Sequence, residues 1–343
     1  MRDGKLLREL CAARGVSGRE DAVRDIVLRE ITPYADSIEI SPLGNVAAFK
    51  KGGKRAKTAL MLDAHMDEVG LMVTDVTDEG LLRFAPVGGI DRRVLPGKTV
   101  TVGEGVPGVI GIKPIHLLEP DEKNKSVPMK ELYIDIGAGS RREAEEQVLP
   151  GDTATFDSVF DDSEGLVKSR ALDDRAGCAL LIGLMRRGLA YDATFVFSVQ
   201  EEIGSNGAKT AAFAVAPRAA IAVECTTAAD VPFVDPGRDV CRLGDGPAIS
   251  FMDRRTVYDR DYYRLAFEIA RDAGIKCQPK RAAAGGNDAG AIHSSRAGAR
   301  AAAVSLPCRY LHSPVGIIAQ RDYEEAEKLL AALAERIAGA DTA

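Results

Sequence analysis

Tryptophan is absent from this sequence, histidine occurs four times, and aromatic residues make up 5% of its 343 positions. Without tryptophan the chain lacks the side chain best suited to stack on sugar rings, which argues against a carbohydrate-processing enzyme. Cysteine is sparse: Cys11, Cys178, Cys225, Cys241, Cys277 and Cys308, none in a CxxC pair. In a chain this long they do not suggest a disulfide framework, and reduced, mostly buried thiols in the cytoplasm are expected. No apolar run approaches the roughly 18 residues of a membrane span. The opening MRDGKLLREL is broken by charges throughout, so no apolar core of a secretory signal can form there. A long basic stretch is also missing; the formal net charge is -6 and the pI about 5.5. Neither nucleic acid nor a membrane is therefore an expected partner.

What is present is an ordinary globular composition, 45% apolar and 28% charged, in a chain long enough for one large domain or two unequal ones. Its texture changes twice. Near the start, Ala22, Val23, Ile26, Val27 and Ile31 recur at helical spacing, with Ser17 as a candidate cap. Strands are expected over 45–50 and 58–62. From about 71 to 165 short strands dominate, at 71–76, 81–87, 99–102, 109–112, 132–136 and 153–156, with one helical stretch at 142–148 and a polar loop at 119–130. This pattern predicts a small all-β barrel or sandwich. From about 166 the α/β rhythm returns: strands at 166–172, 194–199, 219–223 and 301–306, and helices at 175–187, 208–215, 259–273 and 320–338. The economical reading is an α/β domain made from residues 1–70 plus 166–343, with a β domain of residues 71–165 inserted into it.

The candidate chemistry sits at strand ends, where α/β folds place their sites. His65 follows an apolar strand and has Asp67 two residues on. His312 follows another. Asp173 and Asp174 end one strand, Glu201 and Glu202 a second, and Glu224 a third. Singly these features are weak: Asp173-Asp174 could cap a helix, and Glu201-Glu202 could be a solvated pair. Together they supply two imidazoles and several carboxylates at five strand ends. That donor count suits two divalent ions sharing a bridging carboxylate. Adjacent carboxylates also allow one to ligate while its neighbour moves a proton.

Six segments carry a resemblance. LDAHMDEVGLMV (62–73), ALDDRAGCALL (171–181), FSVQEEIGSNGA (197–208), AVECTTAAD (222–230), GGNDAGAIH (285–293) and PCRYLHSP (307–314) resemble the M42 family of metallo-aminopeptidases, in the family's order and across nearly the whole chain. The resemblance implies an α/β fold: a mixed sheet flanked by helices, the two-metal exopeptidase fold, with an inserted small β-barrel for oligomerisation and gating. It implies that His65 and Glu224 hold one metal, Glu202 and His312 the other, and Asp173 bridges both. Glu201 would be general base and acid, and Asp67 would fix the tautomer of His65. The Asp173-Asp174 peptide resembles one that is cis in related enzymes.

The implied activity is removal of N-terminal residues from short peptides by a metal-activated water, with two divalent ions per subunit, zinc or cobalt first and manganese as a third option. A homo-oligomer, commonly a dodecamer in the family, is implied as well. The chain departs from the family in having Glu224 where Asp is common, Cys225 for Gly in a Glu-Gly-Thr-Thr variant, and Asn287 where Thr is usual. Asn287 is therefore expected to line the cleft and shift substrate preference. His116 and His293 read as structural. A carboxypeptidase or acylase is the alternative on the same donor set, and a glycoside hydrolase using Glu201 leaves His65, His312 and Asp173 without a role.

Overall fold

The computed structural model describes residues 4–235, 237–283 and 285–341. The chain opens with helices α1 (Gly4–Ala12) and α2 (Asp21–Ile31), then strands β1 (Ser37–Ile40), β2 (Val46–Lys50) and β3 (Leu60–His65). Strands β4 (Gly70–Val76), β5 (Leu82–Val87), β6 (Thr99–Val102), β7 (Val106–Gly111) and β8 (Tyr133–Asp135) follow, then the short helix α3 (Arg141–Glu145) and β9 (Thr153–Phe156). Next come β10 (Leu166–Ser169), α4 (Leu172–Arg187), β11 (Ala193–Ser198), α5 (Asn206–Val215), β12 (Ala219–Thr227), β13 (Ala248–Ile249) and α6 (Arg260–Ala273). The chain closes with β14 (Gln278–Pro279), α7 (Ala289–Ile292), β15 (Arg300–Cys308), β16 (Gly316–Ala319) and α8 (Gln320–Gly339).

Eight strands form one mixed sheet in the order β1-β2-β11-β3-β12-β15-β13-β14. The central four, β11, β3, β12 and β15, are mutually parallel, so their C-terminal ends lie along one edge. Helices cover them on both faces, which is why β3 reads LMLDAH with every residue buried rather than alternating. The helix α4 is nearly all apolar around its circumference and lies in the main core with Leu7, Val27, Phe195 and Leu330. Strands β4 to β9 close into a six-stranded barrel in the order β4-β5-β8-β7-β6-β9. It has its own core, in which Leu71, Val73, Leu82, Val100, Ile134 and Phe156 meet. Alternation in β6, where Val100 and Val102 point in and Thr99 and Thr101 out, follows the two-residue period of a strand with one buried face.

Three sequence expectations change. The N-terminal helix α1 was not anticipated, because MRDGKLLREL is too charged to show more than three apolar positions on one face. Ser17 does not cap α2. Glu20 stands at its N-cap without a side-chain cap bond, and the Ser17 hydroxyl donates to Asp67 Oδ2 at 2.6 Å instead. The strand before Asp173 is not in the main sheet: β10 pairs with β16 in a separate two-stranded unit. Four strands of the main sheet, rather than five strand ends, therefore serve the candidate site, and Glu224 sits inside β12, which runs on to Thr227.

Candidate metal centre

All the candidate side chains but Glu224 stand where regular structure ends or turns. His65 is the last residue of β3. Asp173 and Asp174 open α4 across a cis peptide bond and carry non-helical dihedrals. Gln200, with φ +57°, turns the chain after β11, so Glu201 and Glu202 leave the sheet together. His312, with φ +55°, sits in the loop between β15 and β16. Glu224 lies within β12 and pairs in register with Ser305 of β15.

These turns bring four of the side chains together. His65 Nε2 lies 3.4 Å from Asp173 Oδ1, and His312 Nε2 lies 3.3 Å from Asp173 Oδ2. One carboxylate thus spans two imidazoles. Glu202 Oε2 is 3.2 Å from the same His312 nitrogen. His65, Asp173 and Glu202 offer ligand atoms all within 4.8 Å of one another, close enough to hold an ion. The outer nitrogens are also occupied. His65 Nδ1 lies 3.2 Å from the Asp67 carbonyl and 3.4 Å from Asp67 Oδ1. His312 Nδ1 lies 3.0 Å from the Gly89 carbonyl, in the segment between β5 and β6 of the barrel. If each outer nitrogen donates, each Nε2 keeps its lone pair for the centre.

Asp67 is fully buried and organises more than His65. Its carboxylate accepts from the backbone N–H of Glu201 at 3.0 Å and of Glu202 at 3.1 Å, as well as from Ser17. Glu20 Oε1 accepts from the N–H of Gln200 at 3.2 Å and from Gly18 at 2.7 Å. The turn that carries Glu201 and Glu202 is therefore held from below by two carboxylates. Asp174 accepts from the N–H of His65 and of Gly177, which ties the start of α4 to the end of β3.

The electrostatics call for positive charge. Burial pushes the carboxyls of Glu201, Glu202 and Glu224 above the usual range, Glu224 to about 7. Burial also opposes ionisation of Asp173, but hydrogen bonds from His312 and His65 win and hold its carboxyl low. Burial disfavours the His312 cation, yet Asp173 and Glu202 hold it up to about 11, and His65 is raised by Asp173 and Asp67 in the same way. Protons on these imidazoles thus occupy the side that divalent cations would neutralise. Glu202 Oε1 is buried with no hydrogen-bond partner, an oxygen that a cation would satisfy. The donor set, two imidazole nitrogens with carboxylate oxygens, suits Zn²⁺-like ions, so the residues fit the implied group.

Glu224 is buried beside this cluster, and its Oε1 accepts from Asn287 Nδ2 at 2.7 Å and Ser305 Oγ at 2.9 Å. Cys225 donates its backbone N–H to Asp173 Oδ1 at 3.3 Å. Asn287 does not face the cleft: it is 2% exposed and bonded to Glu224 and Tyr258. His293, just past the end of α7, has its Nδ1 3.0 Å from the carbonyl of Ala289, the first residue of that helix. His116 is exposed on the 3-10 turn Ile115–Leu117, with no hydrogen bond among the described residues. Sequence reasoning missed Gly89, Ser17 and Glu20. The last two are common polar residues whose partners lie 50 and 180 positions away, and Gly89 acts through its backbone, so no motif marks them.

Residues 44–329 match the family described as M42 glutamyl aminopeptidase. A protein named putative aminopeptidase from Acetivibrio thermocellus is 41% identical over 330 residues, covering 95% of this chain and 96% of its own. The crystal structure of a TET aminopeptidase from a marine sediment thaumarchaeon superposes with a TM-score of 0.94 at 35% identity, covering 98% of this chain and 96% of that one. Pyrococcus horikoshii TET1, described as able to assemble into a tetrahedron or a large octahedral shell, superposes with a TM-score of 0.85 at 37% identity over 96% of this chain and 98% of its own. With the profile spanning most of the sequence and full-length relatives on either side of 40% identity, this chain belongs to the M42 family of aminopeptidases.

Proposed function

We propose that this chain is a metal-dependent aminopeptidase that hydrolyses the first peptide bond of short peptides, with Glu201 as general base. The observation that carries the reading is the Asp173 carboxylate, which sets one oxygen against each of two imidazoles. His65, Glu224 and Asp173 would hold one divalent ion, and Asp173, Glu202 and His312 a second, with zinc or cobalt favoured and manganese compatible. Such ions, when bound, supply Lewis acidity that makes water a nucleophile near neutral pH and stabilises negative charge on the scissile carbonyl oxygen.

The chain's own residues do the rest. Glu201 stands beside the cluster on the turn that Asp67 and Glu20 hold, and burial raises its carboxyl well above the ordinary range. A base of that strength takes a proton from the attacking water and returns it to the departing amine. Asp67 orients His65 and fixes the positions of Glu201 and Glu202 through their backbone.

The division into residues 1–70 plus 166–343 and an inserted 71–165 is part of this proposal, the barrel serving oligomerisation and gating. The similarity to TET1, with its tetrahedral or octahedral shells, supports a homo-oligomer, a dodecamer among the options. Six free cysteines, five of them buried, support a cytoplasmic location, and no described helix is long and apolar enough to cross a membrane.

The test is hydrolysis of a panel of aminoacyl-p-nitroanilides, after EDTA and after re-addition of each metal, with N-acetylated substrates as controls. Activity should vanish with EDTA, return with metal and be absent on blocked substrates. Glu201→Gln should lose roughly 10²–10⁴-fold in kcat while retaining its metal content. A Glu201→Gln enzyme near wild-type activity would remove Glu201 from the role of base.

A further inference from the structure

The hydrogen bonds around Glu224 are all on one side of its carboxylate. Asn287 Nδ2 donates to Oε1 at 2.7 Å, Ser305 Oγ donates to the same oxygen at 2.9 Å, and the Lys280 ammonium lies 3.9 Å from it. No described residue donates a hydrogen bond to Oε2. All four side chains are buried.

The arrangement is set by a directed chain of protons. Tyr258 lies 2.6 Å from Asp253 Oδ2, the shortest contact its hydroxyl makes, so its one proton goes there. Its oxygen is then free to accept from Asn287 Nδ2 at 2.9 Å. Asn287 Oδ1 accepts the backbone N–H of Ala289 at 2.9 Å, which prevents the amide from flipping. The two amide hydrogens thus have one partner each, Tyr258 and Glu224. Ser305 reaches Glu224 because the two residues are register partners on adjacent parallel strands. A threonine at 287 has a single hydroxyl proton and could not serve Tyr258 and Glu224 together.

We infer that Asn287 and Ser305 are positioning residues that occupy Oε1 of Glu224, so that this residue ligates its ion through Oε2 alone. The inference rests on the proposed reading of Glu224 as a metal ligand. Longer than the aspartate common at this place, the glutamate side chain has freedom to present either oxygen or both. The two donors remove that freedom, and Lys280 adds a charge on the same side. The outcome is a one-oxygen ligand in a site whose other ligands are His65 and Asp173.

The experiment titrates Zn²⁺ into EDTA-stripped protein by calorimetry and records the visible spectrum of the Co²⁺-loaded form. Wild type should bind two ions, and Glu224→Gln should weaken one class of site. Should Glu224→Gln leave both classes unchanged, the ligand reading itself fails, and the inference with it. Given a positive control, Asn287→Ala and Ser305→Ala should each weaken the same class by about 10–100-fold, the range for groups that orient a ligand, leaving the other class unchanged. The double variant, with Oε1 released, should show weaker Co²⁺ absorption as coordination number rises. Ser305→Ala removes one oxygen atom and serves alone if Asn287→Ala does not fold. Wild-type affinities and an unchanged Co²⁺ spectrum in these variants would overturn the inference.

Discussion

The two histidines of the centre are held in opposite ways. The His65 side chain is 5% exposed, ends a central strand, and is enclosed by Asp67, Asp174 and the turn they support. The His312 side chain is 32% exposed, sits in a loop with a left-handed backbone, and its outer nitrogen is met by the Gly89 carbonyl of the barrel. One half of the site is therefore built into the sheet, while the other is assembled where barrel and sheet meet. The second half makes a hydrogen bond directly to the barrel.

Removing either imidazole should give the largest effect and test this contrast directly. His65→Ala and His312→Ala should each lose more activity than the roughly 100-fold that supporting groups around a ligand are worth. Their stabilities should separate. In metal-free protein His65→Ala removes a buried imidazole that both Asp67 and Asp173 contact and leaves a gap in the interior, a cost of about 1–3 kcal/mol. His312→Ala, on the more accessible side, should cost less than His65→Ala, with Glu202 losing its imidazole partner. Urea unfolding of both variants after EDTA measures this. Equal destabilisation would mean that the two halves are not built differently.

The sequence announced the first half better than the second. HxD at the end of an apolar run, the Asp-Asp pair and the Glu-Glu pair are local signals, and the first and last of them follow runs, β3 and β11, that can only be interior. The barrel strands were legible from their alternation and turn residues, but the pattern left barrel or sandwich open, and the closed form was implied only by the family resemblance. The supports were not legible. Asp67 is bonded to Ser17 and to two backbone amides more than 130 residues away, and Asn287 to Glu224 across 63. Such partners depend on which strands neighbour each other, and hydrophobic periodicity carries no information about that. Asn287 shows the limit most clearly: its segment suggested a cleft wall, and the fold turned its side chain inward.

A medium-sized effect should come from pH on the buried half. Burial raises the Glu20 carboxyl from 4.5 to about 7 while it accepts the Gln200 N–H. Between those values the folded protein keeps a proton that the unfolded chain releases. This contribution is fully present below pH 4.5, falls as pH rises, and is lost above about 7. At about 1.4 kcal/mol per pH unit it amounts to at most about 3 kcal/mol. Glu20→Gln keeps the acceptor and removes the titration. Its stability relative to wild type should therefore rise from pH 4.5 to 8, measured by urea unfolding at each pH. A difference independent of pH would show that Glu20 does not titrate in this window, and the rigid half would lose its proposed pH sensitivity.

The smallest effect probes the seam between barrel and sheet, where two adjacent glycines should behave differently. Gly88 has φ +83°, and a Cβ there would lie 2.8 Å from Val69 Cγ1 and 3.2 Å from Glu202 Cβ. Alanine at 88 must shift one of them, at a backbone cost of about 1 kcal/mol. Glu202 is the partner of His312, so kcat should fall by about tenfold, the lower end for disturbed ligand support. Gly89 has no such constraint. Its Cβ would stand 3.6 Å from His312 Nδ1, an ordinary contact, and the carbonyl that His312 needs belongs to the backbone. Gly89→Ala should leave kcat within about twofold, because substitution adds a methyl and removes no hydrogen bond. If Gly89→Ala were the more damaging of the two, the His312 ring would be constrained by packing against the barrel rather than by the carbonyl. The exposed half of the site would then be as rigidly fixed as the buried one.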